Sequence, residues 1–556
     1  MYKQVLDPVG NALGWSSLFA ALPLVVLFVL LGGVRMKAQW AALLALLTAI
    51  LVALIAYNMP FGQTMDSAAE GAVFGFFPIM WIVINAIWVY NMTRETGHFA
   101  VLRRSFATVS ADERIQAVII AFCFGALIEA LAGFGTPVAI SSVMLIALGF
   151  RPIKAAAVAL VANTAPVAFG AIAIPIVTLS EVSGLPKDDL GAMVGRQTPL
   201  LALVVPLILV GMVDGLRGIR QTWPAALTAG VAFAALQFAT SNYVSVELTD
   251  IIASLGAAAA VVLLLRVWQP SEPLFAEDAA MPGRPAVAGA EAHNPTLEAE
   301  IERRDDQVKD SRRDIVLAYA PYAIIIAVFA IAQIGAIKDW LDGLGSEFNW
   351  PGLHVVNAKG EAPSSVAFKF NWANAAGTLM LVAGLLTMLA LRFHPRRALR
   401  TYAATLSQLK WAIVTVMAVL SLAYVMNLSG QTITLGTWAA QAGTFFAFLS
   451  PLIGWLGVAV TGSDTSSNSL FGLLQVTAAK NADLSPTLLA AANSSGGVLG
   501  KMISPQNLAI GAAAVGMSGR EGDLFRRVLL WSLLLILVMC LLVFLQSKPI
   551  LDWMVV

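Results

Sequence analysis

The chain has 556 residues, of which 58% are hydrophobic and only 12% charged, with a formal net charge of +1; soluble domains carry about 25% charged residues. That balance excludes a soluble globular protein. With basic residues in short clusters and no basic face, it also excludes nucleic acid as a partner. The two cysteines, Cys123 and Cys540, both lie in apolar runs, so there is neither a disulfide framework nor a metal-binding spacing.

A helix needs about 20 apolar residues to cross ~30 Å of hydrocarbon. Twelve stretches qualify: 17–34, 39–58, 67–92, 153–178, 197–215, 222–240, 248–268, 315–335, 373–392, 408–429, 486–510 and 528–546. The first is longer than a signal-peptide core and follows a weakly charged start, which marks a retained span. Two more apolar stretches are interrupted. In 115–150 the interruption is Gly133, Gly135 and Pro137, and in 450–480 it is TGSDTSSN, residues 461–468, with legs shorter still. Short legs around a polar tip indicate re-entrant hairpins.

Loop charges support that reading, because Lys and Arg collect on the cytoplasmic side. Arg35 and Lys37 place the first loop inside and the N-terminus outside. Stretch 115–150 is basic at both ends, with Arg94, Arg103, Arg104 and Arg114 before it and Arg151 and Lys154 after it, so it enters and leaves from the cytoplasm. Arg217 and Arg220, the 269–314 linker, Arg396, Arg397 and Arg400, and Arg520, Arg526 and Arg527 also fall inside. The second hairpin then enters from outside, and both termini lie outside. The linker, rich in Ala, Glu, Pro and Arg, reads as a flexible connection. Trp340, Trp350 and Trp372 in the loop 336–372 read as interfacial anchors.

The two halves echo each other. NTAPVAFGAIAIP, residues 163–175, matches NSSGGVLGKMISP, residues 493–505, in its Asn, Gly and Pro, and a hairpin glycine stands 30 residues before Asn163 and 31 before Asn493. The fold expected is therefore an all-α polytopic membrane protein with inverted-topology repeats, about 12 spanning helices and two re-entrant hairpins. Residues 1–215 form the first repeat, with hairpin 115–150 and broken helix 153–178. Connecting helices occupy 216–268, the linker 269–314, and the second repeat 315–556, with hairpin 450–480 and broken helix 486–510. The alternative is that Gly and Pro merely kink packed helices.

A helix broken within a bilayer frees backbone groups that need partners, and secondary transporters use such breaks as binding sites. Helix N-termini there attract an anion. Gly135, Thr136, Asn163, Thr164, Thr465, Ser466, Asn468, Asn493, Ser494 and Ser495 give a ring of neutral donors and acceptors for a small polar anion. Glu129 and Asp464, beside the two tips, are candidates to exchange a proton. Lys501 sits about 14 Å from the end of its helix, too deep to reach water, where it attracts the substrate or neutralises an acid. Its surroundings, NSSGGVLGKM, are not a nucleotide loop: Ser495 replaces the first glycine and Met502 the hydroxyl residue. Glu70, Lys410 and the four histidines read as solvated groups near membrane ends. No enzyme constellation is apparent, no metal site and no cofactor are expected, and a channel would need a continuous pore where two hairpins intrude.

The strings GALIEALAGFGTPVAI (125–140), ANTAPVAFGAIAIPI (162–176), TGSDTSSNSLF (461–471) and NSSGGVLGKMISPQNLAI (493–510) resemble the bacterial lactate permease family over nearly the whole chain. The resemblance implies a proton-coupled symporter of the cytoplasmic membrane that takes up L-lactate, often also D-lactate and glycolate, with the proton as coupling ion. It also implies kinship with the ion-transporter superfamily, in which paired hairpins move in an elevator-like cycle. Membrane lipid is the other partner expected; the residues leave oligomeric state and sodium use open.

Overall fold

The computed structural model describes residues 1–107, 109–110, 112–133, 135–274, 310–332, 334–357, 360–363 and 366–556. Most of the expected 269–314 linker therefore lies outside the described residues. Among them, nine helices are long and apolar enough to cross a membrane, and a tenth is added when two pieces bent by 67° are joined. The protein is a multi-pass membrane protein.

The first half runs through helices α1 (Leu13–Phe28), α2 (Ala38–Ile55), α3 (Phe61–Phe74), α4 (Trp81–Glu95), α5 (His98–Ala107), α6 (Glu113–Ala132), α7 (Thr136–Ala147), α8 (Pro152–Ala162) and α9 (Gly170–Ser183). Helices α10 (Lys187–Tyr243) and α11 (Thr249–Leu265) follow. The second half holds α12 (Arg312–Ala332), α13 (Gly335–Gly343), α14 (Ala376–Ala390), α15 (Pro395–Ser429), α16 (Gln431–Ala439), α17 (Phe446–Thr461), α18 (Asp464–Asn481), α19 (Pro486–Gly500), α20 (Pro505–Ala514) and α21 (Glu521–Gln546). Short strands lie in the terminal and loop regions. Strand β1 (Tyr2–Lys3) pairs in parallel with β3 (Val355–Val356), and β2 (Ser346–Asn349) pairs antiparallel with β4 (Ala367–Phe370).

Helix α10 covers two of the expected spans. Its backbone leaves helical geometry at Asp214 and Gly215, the latter at φ 61°, and the chain doubles back. A Cβ on Gly230 would lie 2.9 Å from the Leu203 carbonyl oxygen and one on Gly195 only 1.9 Å from Ser241 Oγ, so the two limbs pack backbone to backbone. Three other expected spans are shorter in the structure: 248–268 and 373–392 become helices of 17 and 15 residues, and 486–510 is divided between α19 and α20.

Two helical hairpins occupy the interrupted stretches. In the first, α6 and α7 turn at Gly133 (φ 43°) and Gly135 (φ 82°), conformations that a side chain disfavours. In the second, α17 and α18 turn at Gly462 (φ 75°), and the Ser463 hydroxyl caps α18 by accepting the Ser466 N–H. The legs of the second hairpin have 16 and 18 residues, about 24 and 27 Å, longer than the sequence had implied. A serine followed by proline opens both α19 (Ser485–Pro486) and α20 (Ser504–Pro505): each hydroxyl caps the helix, and the proline takes a place where no N–H is needed. Glycines weld α17 to α19. Cβ atoms on Gly454, Gly496 and Gly500 would fall 1.9, 2.2 and 2.2 Å from the carbonyl oxygens of Asn493, Pro451 and Trp455, the close small-residue contact typical of membrane helices.

The two broken helices are not copies of one another. In the first, the helix stops at Ala162, because Pro166 offers no N–H and disfavours helix before it. In the second, no proline follows Asn493 until Pro505, and the helix continues to Gly500 before breaking at Lys501–Ser504. Asn493 therefore lies inside a helix, whereas Asn163 lies at a helix end.

Candidate functional site

Both hairpin turns converge on α20. A Cβ on Gly135 would meet Ile510 Cδ1 at 2.3 Å, and one on Gly462 would meet Gln506 Oε1 at 2.6 Å. Between the turns and the broken helices lies a cavity of about 260 Å³. Its polar wall comprises Glu129, Thr461, Ser463, Asp464, Thr465, Ser466, Lys501 and Gln506, and its rim is formed by Ala38, Gln39, Trp411, Ala412 and Thr415 of α2 and α15.

An ion pair crosses this wall. Lys501 Nζ donates to Glu129 Oε1 at 2.6 Å, with the two side chains only 8% and 4% exposed. Asn163 Nδ2 donates to Glu129 Oε2 at 3.0 Å. Gly170 makes the approach possible, since a Cβ there would sit 2.7 Å from Glu129 Oε1. Asp464 is held differently: its Oδ2 accepts from Ser494 Oγ at 2.5 Å and from Asn468 Nδ2 at 3.4 Å, while its buried Oδ1 has no partner among the described residues. A Cβ on Gly497 would lie 2.3 Å from that Oδ1.

Of the residues singled out in the sequence, Glu129, Asp464, Thr465, Ser466 and Lys501 line the cavity. Asn163 and Ser494 lie one hydrogen bond behind it, on the two carboxylates. Asn468 also donates to the Pro175 carbonyl oxygen at 3.1 Å, tying the second hairpin to the first broken helix. Asn493 is remote from the cavity wall: it donates to Asn468 Oδ1 at 2.9 Å and accepts from Gln475 at 3.2 Å, bracing the hairpin. Thr164 donates to the Val161 carbonyl, Ser495 Oγ is buried without a partner among the described residues, and Gly135 and Thr136 form the turn against α20.

Sequence reasoning missed several contributors. Gly170 and Gly497 act by lacking a Cβ, which only the packed structure reveals. Ala171, Ile172 and Ala173 take left-handed backbone angles, φ 45°, 59° and 56°, a run that costs about 1–2 kcal/mol per residue; strain of this kind clusters at functional sites. Gln237, from the second limb of α10, donates to the freed Ala165 carbonyl at 3.4 Å and to Asp250 Oδ1 at 2.9 Å. Intramembrane Gln and Asp at those positions were the available signal.

The family model for L-lactate permease matches residues 16–550. This chain belongs to the L-lactate permease family. It is 39% identical to the glycolate permease GlcA of Escherichia coli (strain K12), over 98% of each chain. It is 38% identical to the L-lactate permease of Bacillus subtilis (strain 168) and 39% identical to that of Salmonella typhimurium (strain LT2), over 100% of each chain in both cases. Among solved structures, the Alcanivorax borkumensis YdaH transporter is similar at 14% identity and a TM-score of 0.42, over 86% of this chain and 88% of that one. The matched span contains every residue that lines the ion-paired cavity, Glu129 and Lys501 included.

Proposed function

We propose that the protein is a secondary active transporter that takes up L-lactate, with D-lactate and glycolate as further substrates, together with a proton across the bacterial cytoplasmic membrane. One observation carries this reading: the Lys501–Glu129 pair on the cavity wall. A single ammonium neutralises one carboxylate. When the carboxylate of a 2-hydroxy acid reaches Lys501, Glu129 is displaced, and a buried, unpaired carboxylate is tolerated only as the neutral acid. Glu129 therefore takes a proton as the anion enters, and the loaded site is nearly neutral. Thr465 and Ser466, in the first turn of α18, supply hydroxyl donors to the substrate. Asp464, on the same wall and with an Oδ1 that has no partner among the described residues, is the second candidate carrier.

In the same reading the two hairpins are re-entrant and oppositely oriented, the halves are inverted repeats, and both termini lie outside. The rim residues Ala38 and Gln39 adjoin Arg35 and Lys37, which supports an inward-facing cavity. Alternating access then carries the hairpin elements past the α2 and α15 scaffold. Outward-facing apolar side chains such as Leu537 and Val538 meet lipid.

Purified protein in liposomes tests the proposal. An inward-directed pH step without sodium should drive lactate accumulation, with glycolate and D-lactate competing. Accumulation only when sodium is added, or only against a different acid, would replace this function with the sodium-coupled or other-carboxylate alternative. Glu129→Gln should still catalyse lactate counterflow but lose proton-driven accumulation.

A further inference from the structure

Glu70 was expected near a membrane end in contact with water; it is 1% exposed, and neither carboxylate oxygen has a hydrogen-bond partner among the described residues. It shares a face of α3 with Asp66, Ser67 and Phe74; the half-buried Asp66 carboxylate lies against Gly352, and α3 presses on α15: Ser421 Oγ donates to the Ala68 carbonyl at 2.7 Å, and a Cβ on Gly71 would lie 2.6 Å from the Leu420 carbonyl oxygen. The ring of Phe74 lies 5.8 Å from that of Tyr424.

Three elements meet at this point. Tyr424 of α15, itself buried, is within electrostatic reach of both Glu70 and Glu181 of α9. Glu181 faces Lys369, Glu347 and Lys187 toward the strand-bearing loop. Helix α2, the other neighbour of this scaffold, has no ionisable side chain between Ala38 and Ile55. Along α15, Tyr424 lies eight residues beyond the cavity residue Val416, and along α9, Glu181 lies six beyond Pro175, or about 9–12 Å. The cluster thus lies beyond the cavity along both helices, away from its end at Ala38, Gln39 and Trp411. An unpaired charge buried there would cost several kcal/mol, so the site as built accommodates the protonated acid.

We propose that Glu70 is a second proton-binding site, loaded from the outer face and separate from the substrate cavity, whose occupancy lets the outer pathway close. This inference rests on the transporter reading above and on its sidedness. The proton bound at Glu70 returns to the outer side when the pathway reopens. It therefore sets the rate of transport and leaves the accumulation ratio to Glu129.

Lactate exchange in proteoliposomes, at constant inner pH and rising outer pH, tests this. On the alkaline limb a required proton contributes about tenfold in rate per pH unit. Glu70→Gln should flatten the logarithmic slope by about one, with accumulation at a fixed pH gradient unchanged. A profile superimposable on that of the wild type overturns the proposal. If Glu70→Gln does not insert, Glu70→Asp decides: a profile displaced along the pH axis supports the site, and an undisplaced one overturns it. Failure of both variants to insert also overturns it, since packing then accounts for the residue. Wild-type protein that never accumulates lactate on a pH step would sink the transporter reading instead.

Discussion

Replacing Lys501 with methionine preserves chain length and removes the charge, leaving Glu129 buried with Asn163 as its hydrogen-bond partner. At a separation of 2.6 Å, two unit charges attract by about 6 kcal/mol at an effective dielectric constant of about 20. Part of that is offset by desolvation, and removing one partner of a buried pair costs about 3–5 kcal/mol. Lys501→Met and Glu129→Leu should each lower stability by that amount, measured by denaturant unfolding in detergent. The double variant should be destabilised far less than their sum, because no charge is left stranded. A coupling energy of about 3 kcal/mol is expected. The same preparations report ligand binding: lactate should stabilise the wild type and have no effect on Lys501→Met. Additive costs in the cycle, or undiminished stabilisation of Lys501→Met by lactate, would refute the displacement of Glu129 by substrate.

Gly497→Ala places a methyl 2.3 Å from Asp464 Oδ1 and 2.9 Å from Val458 Cγ2; it should cost about 1–3 kcal/mol and reduce uptake, whereas Gly522→Ala, with open space around it, should leave both unchanged. Gly170→Ala crowds Glu129 Oε1 at 2.7 Å and should alter the half-saturation concentration for lactate, read from initial uptake rates. Arg114 is buried between Asp112, at 2.6 Å, and Asp214, at 3.1 Å, so Arg114→Gln should lower stability by about 3 kcal/mol, seen as an earlier unfolding midpoint. Burial acts to raise the Asp112 carboxyl, but hydrogen bonds from Arg114 and from the Leu274 N–H hold it below the ordinary 3.8. Its stabilisation is therefore complete above the ordinary carboxylate range and is lost only as pH falls below it. Unfolding midpoints followed through neutral pH should show no inflection from this clasp.

Much of the architecture could be read from local pattern. Apolar runs located the helices, and the glycines at 133, 135 and 462 located the turns. Glu129, Asp464 and Lys501 stood out as charges in apolar stretches, and the structure gathers them on one cavity wall. That Lys501 would neutralise an acid in the site was legible; which of the two carboxylates it meets was not, because Lys501 and Glu129 are 372 positions apart and packing decides. The asparagine echo did not reveal, for a related reason, that the two helices break at different points: Pro166 ends one helix, while close contact with α17 carries the other through the Asn-Ser-Ser-Gly-Gly run despite its weak helix propensity. Glu70 defeated a depth estimate based on distance from the helix end, since its burial comes from α15, more than 300 positions away.

The glycine-to-carbonyl seams between α17 and α19 have a consequence for spectroscopy. Asp464 follows the end of one of these helices and Lys501 the end of the other, so probes attached to both should keep a fixed separation throughout the cycle, an internal ruler. Probes placed on α6 and α19, which the Glu129–Lys501 ion pair links at the cavity, would record whatever sliding the molecule undergoes.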